Sequence, residues 1–401
     1  MVDVCFYFQV HQPYRIRNYG VLDIGNSDKY FDSVKNKEIL NKVANKCYLP
    51  ANKLMLDLIK RHPEFKASYS ITGVALDQFE KYNPKVLESF GKLVETGNVE
   101  LLSETYYHSL AYLYSKKEFK EQVKMHKNKI YELFGVKPKI FRNTELIYNN
   151  EIAKYVSDMG YKGIISEGAD HVLGFKSPNH VYKPVGSDIK LLLKNYKLSD
   201  DIAFRFGERS WKEWPLTVPK FSNWIDKING NGEIVNLFMD YETIGEHQWA
   251  ESGIFSFIEH LPKEILKKNG FVTPSEAIKK EVRGEIDCHN LMSWADEERD
   301  TSAWLGNDMQ KNSIKNLYKI ENQVMNSNDP GLIEKWRKLT TSDHFYYMCT
   351  KWFNDGDVHK YFNPYETPYE AFMNFMNVIN DINLRLKTNT INNYKIGQKV
   401  I

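Results

Sequence analysis

Through the first two-thirds of the chain, short apolar runs alternate with amphipathic segments. Residues 2–10 predict a strand that ends at His11-Gln12-Pro13, because proline cannot continue a central strand. A helical pattern over 52–62 and a strand over 65–71 follow. Residues 84–95 predict a helix with Pro84 in its first turn and Gly97 just past its end. Next come a strand at 99–103, a helix at 116–134 closed by Gly135, and a strand at 139–144. A helix at 149–159 stops at Gly160, before a strand at 163–166. Residues 181–183 and 189–193 carry weaker strand patterns, and 234–239 the last clear one, before a helix over 253–268. Strands separated by ~10–15-residue helical patterns predict parallel βαβ units. Seven or eight such units over about 270 residues predict a barrel rather than an open sheet.

After residue 272 the strand patterns stop. Helical patterns run over 275–282, 308–325, 330–352 and 366–386, and the polar tail from Lys387 is expected to fray. The expected division is therefore a catalytic barrel at 1–272 and a helical domain at 273–401 that contributes to the active-site cleft. No linker composition marks the junction.

Composition narrows the class. Lys and Arg total 54 and Asp and Glu 52, a net charge of +2, so no polybasic footprint for nucleic acid or an anionic membrane is present. No apolar run approaches the ~18 residues that a membrane helix needs. The first residues carry no positive segment ahead of the apolar stretch, so no signal peptide is read and a cytoplasmic location is expected. None of Cys5, Cys47, Cys288 and Cys349 stands at Cys-x-x-Cys spacing, which leaves a zinc ribbon or redox motif without support. No Gly-x-Gly-x-x-Gly or phosphate loop follows a strand. Neither a cofactor nor a metal is expected.

Barrel chemistry sits where strands end, and residues two apart share a face. By that parity Gln9 pairs with His11, Glu100 with Glu104, Asn143 with Glu145, and Asp240 with Glu242. Arg142 has the wrong parity to share the direction of Glu145. One strand-end carboxylate commonly caps a helix or joins an ion pair. Several at one rim repel unless function or a counter-charge retains them. Two carboxylates in a cleft, one ionised and one protonated, are the machinery of glycoside hydrolysis. A metal hydrolase is the competing reading. Aromatic residues make up 14% of the chain, and Trp211, Trp214, Trp249, Trp294 and Trp304 lie in polar surroundings that suit the apolar face of a sugar.

Five segments now stand in order. They are His11-Gln12-Pro13, residues 97–102 (GNVELL), residues 141–145 (FRNTE), residues 238–245 (FMDYETIG) and residues 293–307 (SWADEERDTSAWLGN). Together they resemble the five sequence regions of the family 57 glycoside hydrolases, the last in its alpha-amylase branch. The resemblance implies an irregular (β/α)7 barrel followed by a helical segment, and retaining chemistry on α-glucans or maltooligosaccharides. It assigns Glu145 as nucleophile and Asp240 as general acid/base. It places His11, Glu100 and Glu242 around the sugar, with Gln12 and Arg142 also counted as substrate-binding. Trp294 and one of Asp296 or Asp300 join them, with Asp300 preferred. Other branches often carry Trp where Arg142 stands, which favours alpha-amylase over branching activity. A retaining pair predicts a carboxyl separation of about 5–5.5 Å. The rival readings are a 4-α-glucanotransferase using the same residues, a non-catalytic glucan-binding relative, and a metal-dependent polysaccharide deacetylase.

Overall fold

The computed structural model describes residues 1–351 and 363–397, with side chains to residue 388. Trp352, the last residue of one expected helical pattern, lies outside the described residues, as do residues 398–401 of the polar tail. Two compact units emerge. The first comprises Met1–Gln12, Glu38–Tyr106 and Glu121–Asp300; the second comprises Pro13–Lys37, Tyr107–Lys120 and Thr301–Ile401.

The first unit holds ten strands: β1 (Asp3–Val10), β2 (Ala67–Ile71), β3 (Val99–Leu101), β4 (Ile140–Arg142), β5 (Gly163–Glu167), β6 (Val181–Pro184), β7 (Lys190–Lys194), β8 (Ile234–Asp240), β9 (Gly270–Phe271) and β10 (Val282–Ile286). They form two five-stranded sheets. One runs β3-β2-β1-β8, with β9 also on β1; the other runs β10-β6-β7-β5-β4. The two edges of the first sheet, β3 and β8, meet β4 and β7 of the second through a few bonds. Ser103 N donates to Ile140 O (3.0 Å) and Arg142 N to Ser103 O (2.8 Å), while Asn195 N donates to Asn236 O (2.9 Å). This is the irregular barrel expected, interrupted rather than closed.

Every described pairing of named strands is parallel except β6 with β7. That antiparallel pair arises because only a short polar turn at 185–189 joins the two strands, too short for a crossover helix. Strand β10 was not expected. Its residues alternate half-buried with exposed positions, a one-sided pattern that hides among charged neighbours. The expected helix over 275–282 shrinks to Pro274–Ala277.

Strand β1 is apolar on both parities because both its faces are buried. Cys5 and Tyr7 face the interior with Leu102, Ile140, Ile165, Leu192 and Phe238, drawn from both sheets. The helix Pro84–Glu95 follows from its spacing: Val86, Phe90 and Leu93 bury one stripe, each side chain contributing ~1.5–3 kcal/mol. Asn83 precedes Pro84 at its start, and Gly97 (φ +76°) follows its end.

The contacts do not divide the chain at residue 272. Residues 273–300 cluster with the strands, because β10 pairs with β6 and Met292 bridges Tyr148. The second unit is helical, with Asp308–Lys319, Glu321–Asn326, Pro330–Leu339, Ser342–Tyr346 and Pro368–Gly397. Trp336 is fully buried and donates to Leu317 O at 2.9 Å. Trp304, expected to serve a sugar, is buried there against Tyr346.

Candidate active site

Four strands of the first unit end on a charged residue: Arg142 on β4, Glu167 on β5, Lys194 on β7 and Asp240 on β8. Gln9 on β1 pairs in register with Asp240, and Glu167 with Lys194. The residues just beyond these ends leave extended geometry at once, so strand parity no longer governs them. Glu145 sits in the short 3-10 turn Thr144–Leu146 at φ +57°, ψ 25°. A non-glycine residue in the left-handed region is strained and persists only where surroundings hold it. Glu242 likewise lies in a 3-10 turn, Tyr241–Thr243, after β8. Asn143 and Glu145, and Asp240 and Glu242, are therefore not aligned by strand alternation as expected.

The indole nitrogen of Trp294 donates to Glu145 Oε2 at 2.8 Å. The two backbones meet as well, Trp294 N donating to Glu145 O at 3.2 Å. Trp294 comes from a non-helical stretch, not from a helical domain. That stretch is pinned by Arg299, whose Nη1 donates to Trp294 O at 2.6 Å and lies 3.4 Å from Glu167 Oε2. Arg299 Nη2 is 3.3 Å from Asp200 Oδ2, and Lys194 Nζ lies 3.0 Å from Asp200 and 3.6 Å from Glu167. Burial pushes the Glu167 carboxyl up, while Lys194 and Arg299 pull it back. Two acids against two cations balance, which is what keeps buried charges tolerable.

Around Trp294 lie two more cation contacts. The Arg142 guanidinium stands 5.0 Å from the ring centre and Lys194 Nζ 5.5 Å. Arg142 Nη1 is 3.8 Å from Glu104 Oε2. Gln9 Nε2 donates to Glu104 Oε1 at 3.1 Å, the Ser70 hydroxyl also donates to it, and Tyr7 donates to Gln9 Oε1 at 2.7 Å.

On the β8 side, Glu242 accepts from the Tyr48 hydroxyl and from Gln12 Nε2 (3.5 Å). Burial, with Asp240's charge behind it, pushes the Glu242 carboxyl from its ordinary 4.5 up to about 8. Tyr48 is aimed there by a π turn, Ala44–Tyr48, within a longer helix. His11 Nδ1 is 2.9 Å from Thr72 Oγ1.

His11, Glu145, Asp240 and Trp294 are half-buried, whereas Gln9, Gln12, Glu104, Arg142, Glu167 and Glu242 are buried. Of the half-buried set, Trp294 and Glu145 bond to each other, and the buried Arg142 meets the Trp294 ring. Glu100 is not among either set. Its carboxylate accepts from Ser275 N (2.8 Å) and the Ser275 hydroxyl, at the start of the helix Pro274–Ala277. It bears electrostatically on Cys5 together with Asp3, in the first half of β1. Glu100 therefore caps a helix, and Glu104, four residues on, is the acid of β3's far end. Asp296 is buried with φ +53°, and Asp300 is exposed.

Glu167, Lys194, Asp200, Arg299 and Tyr48 were missed from sequence. For two of them the signal lies one residue beyond the strand patterns, which end at Ser166 and Leu193. Among the described residues no group of three His, Cys, Asp or Glu side chains is arranged to hold a metal ion. No helix among them is long and apolar enough to cross a membrane.

A family model, glycosyl hydrolase family 57, matches residues 5–289. A protein of Methanocaldococcus jannaschii named "Putative alpha-amylase" is 46% identical over 401 residues, covering 96% of this chain and 85% of its own. The solved 4-alpha-glucanotransferase of Thermococcus litoralis superposes with a TM-score of 0.68 at 15% identity, covering 95% of this chain and 59% of its own. The solved branching enzyme of Pyrococcus horikoshii gives 0.67 at 14% identity, covering 94% and 88%. At such identities these two structures speak to the fold.

Proposed function

We propose, from the premise that the chain belongs to glycosyl hydrolase family 57, that it hydrolyses α-1,4-glucosidic bonds of α-glucans with retention. Glu145 attacks the anomeric carbon as a carboxylate. Asp240 first protonates the leaving oxygen, and the bond to the leaving sugar breaks as the glycosyl–Glu145 ester forms. Asp240 then takes a proton from water, which releases the sugar with its original configuration. The observation that carries the proposal is the Trp294–Glu145 hydrogen bond, which holds a carboxylate in a strained turn. A nucleophile needs such fixed aim more than a structural carboxylate does. Trp294 also offers an aromatic edge beside the reacting sugar. The carboxyl separation expected for retention is about 5–5.5 Å.

Incubation with maltoheptaose, followed by product-length analysis with and without chelator, tests this. Hydrolysis gives shorter chains only, untouched by chelator. Longer chains alongside shorter ones would show a glucanotransferase. Chelator sensitivity would show metal chemistry, and unchanged substrate a glucan-binding protein.

A further inference from the structure

We propose that Arg142 is a positioning residue, acting through the Trp294 ring to orient the indole N–H that holds Glu145. Its kinetic consequence rests on Glu145 being the nucleophile; its structural consequence does not. The Arg142 side chain is fully buried, so a role as a direct sugar ligand has little room. Its guanidinium instead meets the face of Trp294 (5.0 Å), and Glu104 holds it there (3.8 Å). Glu104 is itself fixed by Gln9 and Ser70. The chain of contacts thus runs from β1 and β2 through Glu104 and Arg142 to the indole, and from the indole to Glu145.

The backbone of Trp294 is already pinned, by Glu145 O at 3.2 Å and by Arg299 at 2.6 Å. What remains free is rotation of the ring about its own side-chain bonds. Arg142 and Lys194 (5.5 Å) both contact the ring and restrict that rotation. A cation over an indole also draws electron density from it, which makes the N–H a stronger donor toward a carboxylate. Arginine suits the task because its planar, permanently charged head can stack where an ammonium only points.

The test combines kinetics with the indole 15N–1H signal of Trp294, assigned by its absence in Trp294→Phe. Arg142→Met keeps an unbranched side chain of useful volume. It should move the indole signal toward that of an indole without a charged acceptor, the direction Glu145→Gln also moves it. In kcat a loss of about a hundredfold is expected, the scale of a misplaced reacting group, with KM little changed. Arg142→Lys should recover part of both. Combined with Trp294→Phe, Arg142→Met should cost little more than either change alone, because both break one path. If removing the guanidinium leaves Glu104 uncompensated and the protein unfolds, Arg142→Met with Glu104→Gln takes its place. An unmoved indole signal, a loss confined to KM, or multiplicative losses in the double variant would each overturn the proposal. Full activity in Glu145→Gln would remove the nucleophile assignment instead, with the indole signal still reporting on Arg142.

Discussion

Trp294 and Glu145 stand 149 residues apart in the chain, and the indole nitrogen of one donates to the carboxylate of the other at 2.8 Å. The bond ties the loop before Asp300 to the turn after β4 within one compact unit. It gives the strained backbone of Glu145 a reason to persist, since the hydrogen bond to the side chain and the one to the carbonyl hold both ends of the residue.

Trp294→Phe therefore keeps an aromatic face for the cations but loses the indole N–H donor together with part of the ring system. The fold should survive. Turnover should fall by about ten- to a hundredfold, the range for a misaimed catalytic group. Steady-state kinetics with maltoheptaose, alongside a melting curve, checks it; wild-type kcat would mean that the hydrogen bond is ornamental.

Gly245 closes the segment that carries Asp240 and Glu242. It has φ +104°, and a Cβ there would run into the Lys46 carbonyl oxygen of the π turn that aims Tyr48. Gly245→Ala should destabilise by about 3 kcal/mol or more, combining left-handed strain with a backbone clash. It should also blunt activity by displacing Tyr48 from Glu242. Denaturant unfolding measures the first effect, and an alanine variant as stable as wild type would contradict the packing described.

Glu242 links pH to stability. Its carboxyl titrates near 8 in the fold against an ordinary 4.5, because of burial and the charge of Asp240. Between those values the native state binds the proton more tightly than the unfolded chain, so stability falls as pH rises across that window. Its contribution is fully present below about pH 4.5 and is lost as pH passes about 8. Glu242→Gln removes the titration, so its melting temperature should drop less than that of wild type between pH 5 and pH 9. Parallel curves for the two proteins would place the proton elsewhere.

The barrel is legible by period: strands with both faces buried read as unbroken apolar runs, and helices with one buried stripe repeat every ~3.6 residues. Helix bounds such as Pro84–Glu95 and Lys116–Phe134 match because proline, asparagine and glycine punctuate them. The buried polar layer was not legible in the same way. Glu167 and Lys194 are the last residues of apolar strands, where a charge looks like the start of a loop. Lys194 and Asp200 are six residues apart, but Arg299 meets Glu167 and Asp200 across 132 and 99 residues, which no local pattern carries. Glu100 misled for the opposite reason: strand parity put it on the same face as Glu104, but its carboxylate is drawn to Ser275. Strand alternation also says nothing past a strand's end, where Glu145 takes up a left-handed turn.

Asp240→Asn separates the two halves of the proposed reaction. An α-glucosyl fluoride of suitable chain length expels fluoride without protonation, so attack by Glu145 should be largely spared. The second step needs a base to take the proton from water, and asparagine cannot serve, so the glycosyl-enzyme should accumulate. Intact-mass spectrometry after mixing should show one added glycosyl unit, and peptide mapping should place it on Glu145. Glu145→Gln should show no adduct and should lose turnover by several orders of magnitude while still binding sugar. Because Glu145 alone combines the indole hydrogen bond with a place in the turn after β4, it is the carboxylate expected to carry the adduct. An adduct on Glu104 or Glu242 would mean that the buried layer, and not the half-buried front, supplies the nucleophile. The roles given to Arg142 and Trp294 would then have to be reassigned with it.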